Sequence, residues 1–242
     1  MQRSLIAGNW KMNGSKKILS DLAEQLCSLQ CDADVVIFPP NVYIRDAIEA
    51  FSGASIAVGA QNVSEHSRGA YTGEISSEML IDIGCEYCIV GHSERRSLYG
   101  EDNFKIAGKF YQANEAGLIP ILCLGETLNQ REKDETLDVI TAQLNAVVEY
   151  TGKALPSDLV IAYEPIWAIG SGKPASTDQI QIVHQYIRCK LREKGFSAKI
   201  LYGGSVTPEN TKELLKESDI DGLLVGGASL DAKSFVQICK LA

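Results

Sequence analysis

The stretch KILYGGSVTPEN, residues 199–210, holds a complete strand-to-helix unit and predicts the fold of the whole chain. It begins with an apolar run that is too short for a helix and that leads into two glycines. Thr207 followed by Pro208 is typical of a helix start, where a capping side chain precedes a first-turn proline. A buried strand, a glycine turn and a capped helix therefore follow one another directly.

The same kind of unit recurs along all 242 residues. Short apolar runs rich in Ile, Val and Leu occupy residues 5–9, 34–38, 55–60, 88–92, 119–124, 159–163, 199–204 and 222–227. Because neighbouring positions in each run are both apolar, the runs are typical of strands buried on both faces of a sheet. Eight alternations of strand and helix with no linker predict an α/β fold, a (β/α)8 barrel forming one domain over residues 1–242. A doubly wound open sheet is the alternative, since periodicity alone does not show closure.

Helical periodicity fills the segments between these runs. Four shared faces are predicted: Ile18, Leu22, Leu26 and Leu29; Ile106, Phe110 and Ala113; Leu137, Ile140, Leu144 and Val147; and Ile180, Val183, Ile187 and Leu191. Ser176 with Gln179 makes a capping-box pattern, and Asp231 precedes the last helix as a cap.

Composition argues against several classes of function. The hydrophobic fraction of 45% and the charged fraction of 22% are those of an ordinary globular protein. With 23 basic against 31 acidic side chains the net charge is −8, which disfavours nucleic acid as a partner. An anionic ligand would need a local positive site. We expect no membrane partner and no signal peptide, and the odd count of seven cysteines favours reduced thiols and a cytoplasmic location.

Cys85, Cys88 and His92 have a spacing that suggests a zinc site. A structural zinc ion needs four ligands, and no second pair completes the set. Buried structural thiols are therefore the preferred interpretation, and we expect no metal ion.

In a barrel of this type the chemistry lies where the strands end. Asn9 and Lys11 follow the first strand, His92 and Glu94 follow the fourth, Glu164 follows the sixth, and glycine-rich turns follow the last two. A carboxylate can remove a proton from a carbon next to a carbonyl, an imidazole can polarise that carbonyl, and glycine turns can cradle a phosphate. Each residue alone also has a structural interpretation, as a rim contact or as solvated surface. Their convergence on one rim favours an active site.

The stretch AYEPIWAIGSGKPAST, residues 162–177, resembles a nucleotide-binding loop only superficially. A P-loop requires glycine where Trp167 stands and Ser or Thr where Pro174 stands. A G-x-G-x-x-A pattern starting at Gly170 begins too far beyond the strand for a dinucleotide turn. A lid over Glu164 fits better, because a proline stiffens one end, glycines loosen the other, and the apolar residues between them can exclude water.

Several motifs, in order along the chain, resemble those of one family. They are AGNWKMNG, AQN…GAYTGEIS, IVGHSERR, CLGE, AYEPIWAIGSGK, YGGSV and VGGASL. On these motifs the chain resembles the triosephosphate isomerase family from near its start to near its end. The resemblance implies interconversion of dihydroxyacetone phosphate and D-glyceraldehyde 3-phosphate through an enediolate, in glycolysis and gluconeogenesis, with no cofactor and no metal.

The resemblance also implies catalytic roles. Glu164 would be the base that moves a proton between adjacent carbons, and neutral His92 would be the electrophile that hydrogen-bonds the substrate oxygens. Lys11 would balance the charge of the phosphate and the enediolate, with Glu94 as its acidic partner. Asn9 would contact the substrate.

Binding, lid and assembly residues follow from the same resemblance. The implied phosphate-binding backbone positions are Gly170, Ser205, Gly226 and Gly227, with Leu224 and Ile169 as apolar walls. The implied lid comprises Pro165, Ile166, Trp167, Ala168, Ile169, Gly170, Ser171, Gly172 and Lys173. Ser171 and Ile166 replace a usual threonine and valine, which affects lid kinetics rather than activity. Segment 61–76 resembles an interdigitating dimer loop with Thr72 reaching the partner's site, so a homodimer is expected.

Two other functions are compatible with parts of this pattern. Another phosphate-binding barrel, such as a sugar-phosphate epimerase or an indole-pathway isomerase, would share the last two loops but would not require the lysine, the histidine and the lidded glutamate together. A non-catalytic barrel that binds sugar phosphates would lack the base, whereas this chain has Glu164.

Overall fold

The computed structural model describes residues 3–152, 155–169 and 175–242. Its eight strands form a closed barrel of parallel strands in sequential order. They are β1 (Leu5–Asn9), β2 (Asp34–Phe38), β3 (Ile56–Ala60), β4 (Tyr87–Val90), β5 (Ile119–Leu124), β6 (Val160–Tyr163), β7 (Lys199–Tyr202) and β8 (Gly222–Val225). Strand β8 pairs with β1, with Leu5 opposite Gly222, and this pairing closes the barrel. The predicted (β/α)8 barrel is confirmed, and the open sheet is wrong.

Ten α-helices are present in the described part of the chain, nine between strands and one after the last strand. They are α1 (Lys16–Leu26), α2 (Ile44–Ala50), α3 (Ser77–Asp82), α4 (Ser93–Tyr99), α5 (Asn103–Glu115), α6 (Leu128–Glu132), α7 (Thr136–Tyr150), α8 (Thr177–Glu193), α9 (Pro208–Leu214) and α10 (Ala232–Leu241). Two connections hold two helices each, where one was expected. Between β4 and β5, Gly100 adopts a left-handed φ of 66° and ends α4, and Asp102 then caps α5. No described helix combines the length and the apolar composition needed to cross a bilayer.

The predicted helix caps are present. Ser176 Oγ accepts the N–H of Gln179 at 3.3 Å, and Gln179 Oε1 accepts the N–H of Ser176 at 3.0 Å, which is the reciprocal capping box. Pro208 occupies the first turn of α9 directly after Thr207, and the Asp231 carboxylate accepts a backbone N–H at 2.8 Å at the start of α10. These caps fix where the chain leaves the barrel rim and enters each helix.

The strands separate two apolar layers. Inside the barrel, one cluster contains Leu5, Ala7, Val36, Phe38, Ile89, Ile121, Cys123, Val160, Ala162, Leu201 and Leu224. A larger cluster fills the space between strands and helices and includes Trp10, Phe110, Tyr163 and Phe235. Because side chains fill the interior, a ligand can bind at a rim of the barrel rather than within it.

Candidate active site

His92 lies between β4 and α4, and hydrogen bonding defines the state of its ring. Gly91 before it has a left-handed φ of 74°, which turns the chain out of the strand. His92 then caps α4, and the N–H of Glu94 donates to Nδ1 at 3.2 Å. Since Nδ1 accepts a hydrogen, the ring proton is assigned to Nε2 and the imidazole is neutral. Nε2 lies 3.0 Å from Glu164 Oε1.

Glu164 directly follows β6, and its side chain is only 2% exposed. Its N–H donates to Leu124 O at 2.7 Å, which continues the pairing of β6 with β5 beyond the strand end. Carboxylate oxygen Oε2 accepts the N–H of Ser93 at 2.9 Å. Ser93 begins α4, where the helix dipole favours a negative charge. A backbone amide and the neighbouring imidazole therefore hold a buried carboxylate at the barrel rim.

Glu164 fits at this position because two neighbouring residues are glycines, which have no side chain. A Cβ atom on Gly125 would lie 1.9 Å from the carbonyl oxygen of Glu164, and one on Gly203 would lie 3.0 Å from its Cγ. The first distance is far inside van der Waals contact. The glycines of the CLGE and YGGS motifs thus have a steric role beside Glu164, which the sequence did not reveal.

Cys123 lies in β5 and is fully buried. Burial and the charge of Glu164 raise the pKa of the Cys123 thiol well above its usual value. The sulfur therefore keeps its hydrogen, and a protonated thiol is a poor nucleophile. Cys123 is assigned a packing role in the barrel interior rather than a role in covalent catalysis.

Lys11 adopts an unusual backbone conformation that its neighbours stabilise. Its φ of 53° is one of two positive values at non-glycine residues in the described part of the chain. The Lys11 N–H donates to Asn9 Oδ1 at 2.9 Å, and its carbonyl accepts Gln61 Nε2 at 2.9 Å. Its Nζ donates to Glu94 Oε1 at 2.6 Å. The strained turn places the ammonium beside the rim cavity, next to an acidic partner.

A cavity of about 340 Å³ opens at the carboxyl ends of the strands. The predicted site residues that line it are Asn9, Lys11, His92, Glu164, Ile169, Ser205, Leu224, Gly226 and Gly227. Glu94 instead lines a neighbouring cavity that shares Lys11 with the first. Thr72 lies in an exposed loop. Gly170, Ser171, Gly172 and Lys173 lie outside the described residues.

The described part of the lid is anchored by a residue that sequence reasoning missed. Glu126, fully buried just after β5, accepts Trp167 Nε1 at 2.8 Å, Tyr163 OH at 3.1 Å and Arg131 Nη1 at 3.2 Å. The Arg131 guanidinium also lies 4.6 Å from the centre of the Trp167 ring. Ile169 reaches the rim cavity itself. A carboxylate two residues after a strand end, as in CLGE, was the signal that could have identified Glu126.

The spacing of Cys85, Cys88 and His92 does not produce a ligand set in the structure. Both thiols are buried, and burial raises the pKa of Cys85 to about 11 and that of Cys88 further. The two ring nitrogens of His92 face Glu94 and Glu164.

The fold and the rim define a class of protein. It is a closed (β/α)8 barrel whose polar side chains gather at the carboxyl ends of the strands, as in barrel enzymes generally. Comparison with known proteins gives the family. The family model described as triosephosphate isomerase matches residues 4–242, and the chain belongs to the triosephosphate isomerase family.

Individual relatives agree with this assignment. The chain is 50% identical to the triosephosphate isomerase of Alcanivorax borkumensis, with 98% of each chain covered. It is 49% identical to that of Halorhodospira halophila, with 100% of this chain and 99% of the relative covered. It is 49% identical to that of Methylococcus capsulatus, with 99% and 98% covered. The resemblance predicted from the motifs is confirmed.

Proposed function

We propose that this chain interconverts dihydroxyacetone phosphate and D-glyceraldehyde 3-phosphate, with Glu164 as the base and His92 as the hydrogen-bond donor. Isomerase activity on a triose phosphate, the step that such enzymes contribute to glycolysis and gluconeogenesis, follows from the family. The residue roles are the finer part of the proposal. One observation carries them, which is the distance of 3.0 Å between a buried carboxylate and a neutral imidazole in the rim cavity.

The chemistry requires one group that accepts a proton from carbon and another that donates a hydrogen bond to oxygen. Glu164 is a proton acceptor whose carboxylate is excluded from water. Binding of substrate therefore has to displace little water from this carboxylate. The Nε2–H of His92 is a donor, because Nδ1 is occupied by the N–H of Glu94. A substrate oxygen that enters between the two side chains would accept the hydrogen bond from Nε2–H of His92 in place of Glu164. The carboxylate of Glu164 would then face the substrate carbons.

The phosphate is proposed to bind at the opposite side of the same cavity. The turns after β7 and β8 contribute Ser205, Gly226 and Gly227, whose backbone can donate to phosphate oxygens. Lys11 runs past Gly226, since a Cβ there would lie 3.7 Å from Lys11 Cε. Its ammonium supplies the local positive charge that an acidic chain otherwise lacks.

The test replaces the base without changing its shape. Glu164→Gln is expected to lower kcat about a thousandfold in a coupled glyceraldehyde 3-phosphate assay, while binding of a phosphate-bearing substrate analogue stays within a few-fold. Glu193→Gln, an exposed carboxylate on α8, is the matched control and should keep full activity. Near-normal kcat in Glu164→Gln would assign the proton transfer to another residue. Absence of turnover by the folded wild-type protein would defeat the isomerase proposal itself.

We also propose that residues 1–242 form one catalytic domain that works as a cytoplasmic homodimer. Residues 67–74 are exposed at the tip of the loop that carries Thr72, and Met12 beside Lys11 is 94% exposed. A groove next to Lys11, lined partly by Met12 and Tyr99, could receive this loop from a second copy. Burying such apolar side chains would favour association.

The oligomeric state is testable directly. Light scattering should show a dimer for the wild-type protein. Thr72→Glu should weaken the dimer and lower kcat, whereas Ser52→Glu, at an exposed position of another loop, should do neither. An active wild-type monomer at the assay concentration would contradict the proposal.

A further inference from the structure

Gln143 is a polar side chain on the buried face of α7. It is 9% exposed, and Ile140, Leu144 and Val147 on the same helix are buried as well. A carboxamide that leaves water without hydrogen-bond partners costs free energy, so its place among apolar side chains requires a reason. The catalytic roles proposed for the rim residues do not involve it.

Both ends of the Gln143 carboxamide bind the backbone of a single residue, Gly125. The N–H of Gly125 donates to Gln143 Oε1 at 2.9 Å, and Gln143 Nε2 donates to the carbonyl oxygen of Gly125 at 2.9 Å. Because a backbone N–H only donates and a carbonyl only accepts, this pair of bonds also fixes which end of the amide carries the oxygen. The side chain thus binds Gly125 in the way that a residue of an antiparallel partner strand would.

Gly125 lies just beyond the end of its strand. Strand β5 ends at Leu124, and the neighbouring β4 ends at Val90, which is paired with Leu122. The pairing of β5 with β4 therefore stops before Gly125 is reached. Gln143 supplies two hydrogen bonds to the backbone at this point, where the strand ladder has ended.

The segment that Gln143 holds contacts the proposed base directly. The carbonyl oxygen of Leu124, the residue before Gly125, accepts the N–H of Glu164 at 2.7 Å. Gly125 itself packs against the backbone of Glu164, since a Cβ atom on Gly125 would lie 1.9 Å from the Glu164 carbonyl oxygen. A displacement of Gly125 would therefore move the backbone from which the carboxylate of the base extends.

The same segment also holds the first residues of the lid. The carbonyl oxygen of Glu126 accepts the N–H of Ile166 at 3.2 Å. The carboxylate of Glu126 accepts Trp167 Nε1 at 2.8 Å. The bonds to the base and to the lid thus lie on either side of Gly125, the residue that Gln143 binds.

We propose that Gln143 is a positioning residue, whose carboxamide fixes the backbone of Gly125 and, through it, the base Glu164 and the indole of Trp167. This inference rests on the proposed role of Glu164 as base. Proton transfer from carbon depends on close approach, and a misplacement of about 1 Å can lower the rate about a hundredfold. Gln143 is not among the described residues that line the rim cavity, so it can hold this geometry without occupying space that the substrate needs.

The experiment removes the two hydrogen bonds and keeps the approximate size of the side chain. Gln143→Met has a similar length and makes neither bond to Gly125. Val148→Ala is the matched control, because Val148 is a buried residue of the same helix. Its truncation lowers the stability of the fold without removing a hydrogen bond to Gly125.

Two measurements are made on each protein. The first is kcat and KM in the coupled assay with glyceraldehyde 3-phosphate. The second is the indole N–H resonance of Trp167 in 15N-tryptophan-labelled protein, which Trp167→Phe assigns. Trp10, the other tryptophan of the chain, is fully buried and serves as the internal reference.

In Gln143→Met, kcat should fall at least about tenfold, and KM should change less than about threefold because the phosphate-binding turns are intact. The Trp167 resonance should shift, since its bond to Glu126 depends on the segment that Gln143 holds, whereas the Trp10 resonance should stay. Val148→Ala should keep kcat within about twofold and leave both resonances in place. A role in stability alone would change neither kcat relative to KM nor the Trp167 resonance.

Near-normal kcat in folded Gln143→Met, an unmoved Trp167 resonance, or an equal fall of kcat in Val148→Ala would each overturn the inference. If Gln143→Met does not fold, Gln143→Asn decides, because its amide is one methylene shorter and loses the paired bonds to Gly125. The same fall of kcat is expected there, and normal kcat would overturn the inference. The resonance requires no turnover, so a wild-type protein without activity would defeat the proposed function and leave this inference to be tested by the resonance.

Discussion

The stability of the fold is expected to depend on pH through one buried histidine, His184. The side chain lies on α8, is fully buried, and places Nδ1 2.9 Å from the carbonyl oxygen of Asp219. A carbonyl accepts only, so the ring proton is assigned to Nδ1. Nε2 has no hydrogen-bond partner among the described residues. Protonation of Nε2 would therefore create a buried charge without a partner.

The magnitude follows from the pKa of this imidazole. Burial lowers the pKa of His184 from 6.5 to about 4 in the folded protein. Below about pH 6.5 the unfolded chain takes up a proton that the folded chain does not, so the free energy of unfolding falls as the pH falls. Each pH unit in this window costs about 1.4 kcal/mol. Between about pH 7.5 and pH 5 the loss is therefore about 2 kcal/mol.

The variant that tests this is His184→Asn, whose amide nitrogen can still donate to the Asp219 carbonyl but does not titrate. Urea unfolding of both proteins, at one protein concentration and at both pH values, gives the two losses of stability. The wild-type protein should lose about 2 kcal/mol more than the variant, because the other titrating groups cancel in the comparison. Equal losses would refute the reasoning.

Three further substitutions follow from the site. Gly125→Ala should lower the free energy of unfolding in urea by at least about 3 kcal/mol, since its Cβ would lie 1.9 Å from a carbonyl oxygen. A Cβ on residue 227 would meet no atom within 4 Å, so Gly227→Ala should leave the free energy of unfolding nearly unchanged. Trp167→Phe removes one donor from a buried carboxylate and should cost about 1–2 kcal/mol by the same measurement; an unchanged stability would contradict the anchoring role of that bond. Lys11→Met should weaken inhibition by inorganic phosphate at least about tenfold. Lys17 is an exposed lysine on α1, and the control substitution Lys17→Met should leave this inhibition unchanged.

Apolar pattern was enough to predict most of the barrel. The runs at 5–9, 34–38 and 119–124 match β1, β2 and β5 at both ends. These strands are buried on both faces, so hydrophobicity alone marks their limits.

Strand and helix ends were less predictable. The run at 88–92 was extended too far, because β4 stops at Val90 and Gly91 turns the chain so that His92 caps a helix. Leu29 lies beyond the end of α1, and Leu137 is 36% exposed in the first turn of α7. Backbone turns and the first and last turns of helices depend on local dihedrals, which periodicity does not report.

The sequence by itself determined the eightfold alternation, the closed barrel as the best interpretation, and the kinds of polar side chain that lie at one rim. Short segments of the chain determine these properties, because the spacing of apolar residues and the capping of helices depend on residues only a few positions apart. Only the tertiary structure decided that Trp167 binds Glu126, that a side chain on residue 125 would clash with the backbone of Glu164, and that Arg96 donates to the carbonyl oxygen of Cys123. Each of those facts is a distance between residues brought together by closure of the barrel, and no local pattern encodes such a distance.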